Sequence, residues 1–217
     1  LGTVAIRMPR HPMALALIRG AGLPIAAPSA NRFGEVSPTT AAHVRETFSE
    51  QQVPIVLDGG TCEAGVESTV VSFAEDRPAI LRPGAATREQ IEQIIGEVDL
   101  VRREADGEAQ ASPGMNSRHY APRTPMRLVA AEHELHALGR SADRIGLLSV
   151  GPTDVTAGFA RVEVLSQRGD LPEAAARLFA ALRRLDAAAL DQIVALRGPA
   201  DGLGEAINDR LERAAKA

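Results

Sequence analysis

The sequence predicts an α/β protein of two domains, with its chemistry concentrated in residues 1–120. Three observations carry this expectation. Apolar segments with the two-residue alternation of strands interleave with segments of helical spacing along most of the chain. That rhythm breaks once, over residues 102–125, where acidic and small residues lead into Ser112-Pro113-Gly114-Met115 and His119-Tyr120-Ala121-Pro122, the composition of a linker. A chain of 217 residues that is 45% hydrophobic and 24% charged has enough apolar material for two modest cores.

The elements follow in order. Residues 3–7 alternate like a strand already under way, and Leu1 rather than Met opens the chain, so a missing natural N-terminus is expected. His11-Pro12 introduces a short amphipathic helix over 13–19, ended by Gly20 or Gly22. Residues 23–27 read as a short buried strand. The Ser-, Asn-, Gly- and Pro-rich stretch 28–38 is a shaped loop, after which Thr39 or Thr40 caps a helix running to Phe48. Strands are expected over 55–60, 68–73 and 79–82, then a helix over 87–95 with Thr87 as cap and Ile91, Ile94 and Ile95 facing inward. Beyond the linker, strands at 126–129, 144–150 and 161–165 alternate with helices at 131–138 and 171–184, a pattern that predicts a parallel, doubly wound sheet.

Composition excludes several classes. With 3% aromatics, no Trp and one Tyr, there is little from which to build a base-stacking platform. A net charge of −4 opposes a whole-molecule grip on a polyphosphate. Cys62 is the only cysteine, so no internal disulfide and no CxxC zinc motif exists, and its neighbour Glu63 supplies no activating cation. No apolar run approaches the length of a membrane span and no signal peptide opens the chain; the cytoplasm is the expected compartment. Neither GxGxxG nor GxxxxGK[ST] occurs, His133 and His136 fall on a solvent-facing helix, and no metal site is expected.

The residues left as candidates for chemistry are few. Pro28-Ser29-Ala30-Asn31 and Ser37-Pro38-Thr39-Thr40 surround Gly34 between a strand and a helix, a loop able to offer hydroxyls and backbone N–H groups to a phosphate, or simply a Ser/Pro-rich turn. Arg7 and Arg82 sit at or near the ends of apolar strands, where a guanidinium can take a carboxylate or phosphate in two prongs, or can be an edge-strand charge or form a structural ion pair, as with Glu67. Ser68 opens a strand after Gly65 and can present its hydroxyl to a ligand or to its own turn.

Taken as an ordered set, Thr3-Val4-Ala5-Ile6-Arg7-Met8-Pro9, Ala27-Pro28-Ser29-Ala30-Asn31, Ser37-Pro38-Thr39-Thr40-Ala41, Leu57-Asp58-Gly59-Gly60, Glu67-Ser68-Thr69-Val70 and Leu81-Arg82-Pro83-Gly84 resemble the YrdC-like family. Pro113-Gly114-Met115, His119-Tyr120-Ala121-Pro122 and the run from Gly202 to Leu211 are similar to its two-domain Sua5 branch, the threonylcarbamoyl-AMP synthases. The resemblance implies the C-terminal part of a YrdC-like twisted α/β domain over 1–101, a linker over 102–125 and a smaller Rossmann-like Sua5 domain over 126–217. It further implies a nucleotidyltransferase that makes L-threonylcarbamoyl-AMP from L-threonine, bicarbonate or CO2, and ATP, releasing pyrophosphate, for the N6-threonylcarbamoyladenosine of tRNA. A downstream tRNA-modifying threonylcarbamoyl transferase machinery would consume the product. Thr3, Ser29, Ser37, Arg82 and Tyr120 are thereby expected around ATP, and Arg7, the backbone of Ala27, and Ser68 around L-threonine. No side chain is singled out as acid, base or nucleophile, and Mg2+ is expected to accompany the triphosphate. Tyr120, in the linker, is expected to close over the site or to pin the linker to the first domain. The family's N-terminal half, with its Lys-x-Arg element, has no counterpart here, so no turnover is expected of these 217 residues alone. The rival expectation is a non-catalytic RNA-binding module, with weak affinity from Arg102, Arg103, Arg118 and Arg123 and a structural or regulatory C-terminal domain.

Overall fold

The computed structural model describes residues 2–101, 119–139 and 143–216. Most of the linker expectation therefore lies outside the described residues.

In the first half, Pro at the N-terminus and left-handed Gly22 at the C-cap bound helix α1, Pro12–Ala21. Helix α2, Ala41–Thr47, starts where the Thr40 hydroxyl accepts from the His43 N–H. Strands β1 (Val70–Ser72) and β2 (Ala79–Arg82) form an antiparallel pair, and β3 (Asp99–Leu100) joins β2 in parallel. Helix α3, Arg88–Ile95, carries the Thr87–Gln90 capping box. Three expected strands are absent: 3–7, 23–27 and 55–60 are not strands, and Val4, Ile6, Leu23, Ile25, Ile55 and Leu57 are exposed. Alternation marks a segment fit for a sheet, but a strand exists only when another strand satisfies its N–H and C=O groups, and among the described residues none does. The inward-facing triad of α3 is corrected for a related reason: Ile91 is half-buried, but Ile94 is 84% exposed because among the described residues nothing covers it.

The second half keeps the expected strands and helices and adds one strand and one helix, at Gln192–Leu196 and Leu203–Ala215, that the pattern did not predict. Strands β4 (Met126–Val129), β5 (Ile145–Ser149), β6 (Arg161–Val164) and β7 (Gln192–Leu196) make one parallel sheet in the order β4-β7-β5-β6. Helix α4 (Glu132–Leu138) packs Leu135 and Leu138 on one face with Val129, Leu147 and Val194. Helices α5 (Leu171–Asp186) and α6 (Leu203–Ala215) cover the other, burying Leu178, Phe179, Leu182, Ile207 and Leu211 against Leu148, Ile193 and Ala195. At about 1.5–3 kcal/mol for each large apolar side chain removed from water, this two-faced core is the main stabilising term. Asp170 caps α5, and Arg183 and Arg184 lie at its negative C-terminal end.

The two halves meet along α5, α6 and the segment 119–125. Val36, Val66 and Tyr120 belong to the same buried cluster as Leu178 and Phe179. Arg183 donates to the Val36 carbonyl at 2.7 Å, the Ala121 N–H to the Gly34 carbonyl at 2.8 Å, and the Gly202 N–H to Glu89 at 3.3 Å. Gly65 presses directly on α5.

Candidate functional site

Where the halves meet, charged and polar side chains are buried together. The centre is Glu67, just before β1. One of its carboxylate oxygens accepts from the Ser37 hydroxyl at 2.8 Å, and the other takes the Nε of Arg210 at 2.9 Å. Arg210 comes from the core face of α6, is fully buried, and also donates to the Pro83 carbonyl at 2.8 Å and to Asp209 at 2.6 Å. Its guanidinium carbon lies 5.2 Å from the centre of the Tyr120 ring. Arg82, at the end of β2 and 7% exposed, reaches back with Nε and Nη2 to the Ser68 carbonyl at 3.3 and 2.8 Å.

Tyr120 is held on every side. It stacks on Phe179 with ring centres 5.5 Å apart and meets His119 edge-on at 4.1 Å. Its backbone adopts φ of 63°, a left-handed conformation that costs a non-glycine residue roughly 1–2 kcal/mol and persists only where packing over-determines it. Arg210 Nη2 and His119 Nδ1 in this cluster, and Asn31 Oδ1 in the loop before Gly34, are buried without a hydrogen-bond partner among the described residues.

The buried charges shift one another strongly. Burial pushes the Glu67 carboxyl up, but Arg210 and the Ser37 hydroxyl outweigh it and hold the group below the usual carboxylate range. Burial opposes the charge of Arg210, and Tyr120, Glu67 and Asp209 more than restore it, leaving the group raised. Burial lowers Arg82, with Tyr120 working the other way, and burial also lowers His119, with Glu67 pulling against it and Arg213, Arg210 and Arg82 adding to the fall. For Tyr120 burial is again the first cause and raises the phenol; Arg210 and Arg82 oppose it and Glu67 adds to it. Because Tyr120 is the only tyrosine, an alkaline absorbance titration reads it alone. It is expected to ionise above the ordinary phenol value of about 10 in the folded chain and to return to that value in denaturant. The raised group binds its proton more tightly when folded, so stability falls as pH rises through that window. A native midpoint at the ordinary value would mean an open phenol.

Of the residues singled out from sequence, Ser37, Arg82, Ser68 and Tyr120 converge on this cluster. Arg7 and Ala27 form a second group, the guanidinium donating to the Ala27 carbonyl at 2.9 Å on the exposed surface. Thr3 and Ser29 are exposed, and no hydrogen bond joins them to either group among the described residues. Sequence reasoning offered Glu67 as an ion-pair partner for Arg7 or Arg82; its short ion pair is with Arg210, 143 positions away. Arg210 was missed, although a charged residue within the apolar face of Ala206, Ile207, Leu211 and Ala214 was a readable signal. His133 and His136 are exposed, and Cys62 has its thiol raised by burial and by Glu67, against a nucleophilic role. Among the described residues no group of three or more His, Cys, Asp or Glu is arranged to hold a metal, and no helix is long and apolar enough to cross a membrane.

Fold and site together define a class: a mixed α/β protein with one sheet in each half and a buried cluster of arginines and carboxylates where the halves meet. The chain belongs to the threonylcarbamoyl-AMP synthase family. The family described as "Threonylcarbamoyl-AMP synthase, C-terminal domain" matches residues 86–216, and that described as "Telomere recombination" matches residues 1–84. Threonylcarbamoyl-AMP synthase of Bacillus subtilis is 42% identical over 221 residues, covering 99% of this chain and 64% of that protein. The protein of the same name from Pyrococcus abyssi is 38% identical, again covering 99% and 64%. The crystal structure of P. abyssi Sua5 complexed with L-threonine superposes with a TM-score of 0.87 at 36% identity, covering 99% of this chain and 64% of that one. A P. abyssi Sua5 double variant, with a histidine and the tyrosine after it changed to alanine, gives 0.85 at 34% identity, covering 99% and 63%. The chain thus spans just under two thirds of the length of these relatives.

Proposed function

We propose that this chain works in the synthesis of L-threonylcarbamoyl-AMP from L-threonine, bicarbonate or CO2, and ATP, with release of pyrophosphate, as a cytoplasmic nucleotidyltransferase supplying tRNA N6-threonylcarbamoyladenosine modification. The observation that carries this reading is the convergence of Arg82, Ser37 and Tyr120, distant in sequence, on one buried cluster rich in cations and hydroxyls. Such a cluster suits a triphosphate, while the exposed Arg7 beside the Ala27 carbonyl suits an amino acid: a guanidinium for its carboxylate and a carbonyl for its amine. The domains are taken as 1–101 and 126–217, joined by 102–125.

In this reading the threonine amine captures CO2 as a carbamate. A carbamate oxygen bonds to the α-phosphorus, the bond from that phosphorus to the β-phosphate oxygen breaks, and pyrophosphate leaves with the electron pair. The chain's own residues align and screen charge instead of forming covalent intermediates. Arg82 and Ser37 hold phosphate oxygens, Arg7 orients threonine, and Tyr120 closes the linker over the reactants and limits water. The described residues offer no acidic cage for Mg2+, so the ion would travel on the triphosphate and no step is assigned to it.

The test is pyrophosphate release from ATP with L-threonine and bicarbonate, comparing the chain, a form extended to the relatives' length, and Arg82→Ala in that form. The extended form is expected to turn over and Arg82→Ala to lose at least about a hundredfold, the size of effect seen when one donor to developing charge is removed. An extended form that binds RNA without releasing pyrophosphate would overturn the reading in favour of an RNA-binding module. Of the four arginines considered for RNA, only Arg123 is among the described residues, and it is paired with Asp186 at 3.2 Å.

A further inference from the structure

We propose that Arg210 is a positioning residue through which the C-terminal half arranges the nucleotide side of the site; this rests on the synthase reading above. Three contacts of one guanidinium define the role. Nε holds the Glu67 carboxylate, whose other oxygen receives the Ser37 hydroxyl, so the rotamer of Ser37 depends on Arg210 at one remove. Nη1 holds the carbonyl of Pro83, the residue immediately after Arg82, and so fixes the end of β2 from which Arg82 projects. The flat face of the group covers the ring of Tyr120, whose backbone is held in a left-handed conformation. Ser37, Arg82 and Tyr120 are three of the residues assigned to ATP, and Arg210 reaches the first two at one remove and the third directly.

Stability alone does not explain this arrangement. Arg210 is surrounded on α6 by Ala206, Ile207, Leu211 and Ala214, all at most 1% exposed, where an apolar side chain would pack without desolvating a charge. Buried ion pairs generally contribute no more than well-packed apolar replacements. What a guanidinium adds is a rigid planar fork that can serve a carboxylate, a carbonyl and an aromatic face at once, which a lysine ammonium cannot. The three contacts act through Glu67, Pro83 and Tyr120, so the residue is assigned to positioning.

The test uses Arg210→Lys in the extended form, with dissociation constants for ATP and for L-threonine measured by calorimetry beside a thermal melt. The expected result is a cooperative melt, ATP affinity weaker by at least tenfold and L-threonine affinity within twofold. In the 217-residue chain, which has no tryptophan and only Tyr120 as tyrosine, iodide quenching of tyrosine emission should increase. Arg184→Lys, which loosens the Glu163 clasp within the C-terminal half, should leave both affinities unchanged. ATP affinity within twofold of the unsubstituted protein overturns the proposal, as does a parallel loss of both ligands that tracks a lower melting temperature, since that is a purely structural role. If the lysine variant lacks a cooperative melt, Arg210→Gln combined with Glu67→Gln removes both charges together and is held to the same comparison. Absence of ATP binding in the unsubstituted extended form would instead overturn the synthase reading, and the proposal with it.

Discussion

Glu67→Ala is expected to lower the unfolding free energy by about 3–5 kcal/mol, the usual cost of removing one partner of a buried ion pair. For a chain of this size that corresponds to a fall in melting temperature on the order of 10 °C. The magnitude follows from what the alanine would leave behind. Arg210 is fully buried; without Glu67 it keeps, among the described residues, only Asp209 as a carboxylate partner, at 2.6 Å, while its Nε proton and the Ser37 hydroxyl lose their acceptor. Glu67→Gln should cost less, because the amide oxygen can still accept from Ser37. The pair also carries a pH signature. Since the folded-state value of Glu67 lies below its unfolded one, its contribution is complete above the ordinary glutamate value of about 4.3 and is lost as pH falls through the lowered value. Urea unfolding of the wild type should therefore weaken with acid more steeply than that of Glu67→Gln. A loss under about 1 kcal/mol for the alanine variant would place the pair in a more solvated, and less consequential, setting.

How much of this was legible depended on the range of the interaction concerned. Helix α5 and strands β4, β5 and β6 were readable because their patterns are local: the apolar spacing of Ala175, Leu178, Phe179 and Leu182 holds whatever surrounds it. Strand β7 was missed because its central residues Ile193, Val194 and Ala195 are buried on both faces, which removes the alternation that identifies a strand. The opposite error occurred at 3–7, 23–27 and 55–60, where alternation is present but pairing is not. At the site, Arg82 and Ser37 could be picked out because a guanidinium at a strand end and hydroxyls in a Gly/Pro loop are chemically conspicuous in their own neighbourhoods. The tie from Glu67 to Arg210 could not, because it closes across 143 positions and joins a turn in one half to the core face of a helix in the other.

The second large effect is expected at Gly65, where alanine should cost about 2–5 kcal/mol. Its φ of +67° alone penalises a side chain by roughly 1–2 kcal/mol. The remainder is steric: a Cβ there would stand 2.1 Å from the Ala175 carbonyl oxygen and 2.3 Å from the Ala176 Cα, both backbone atoms within α5. That helix cannot retreat, because Ala174, Ala175 and Leu178 are fully buried against the parallel sheet, and overpacking a filled core typically costs a further 1–3 kcal/mol or so. The segment around Gly65 must lift instead, carrying Val66 out of the shared core and drawing Glu67 away from Arg210, so Tyr120 emission should become more accessible to iodide as stability falls. Gly60→Ala isolates the conformational part, because Gly60 has φ of +85° and open space where a Cβ would stand. Denaturant midpoints for the two variants measure the difference. Equal losses would mean that the halves are not in contact at Gly65, whereas a clear excess for Gly65→Ala, with Tyr120 exposed, would show that close backbone approach at this glycine is what lets Arg210 reach Glu67.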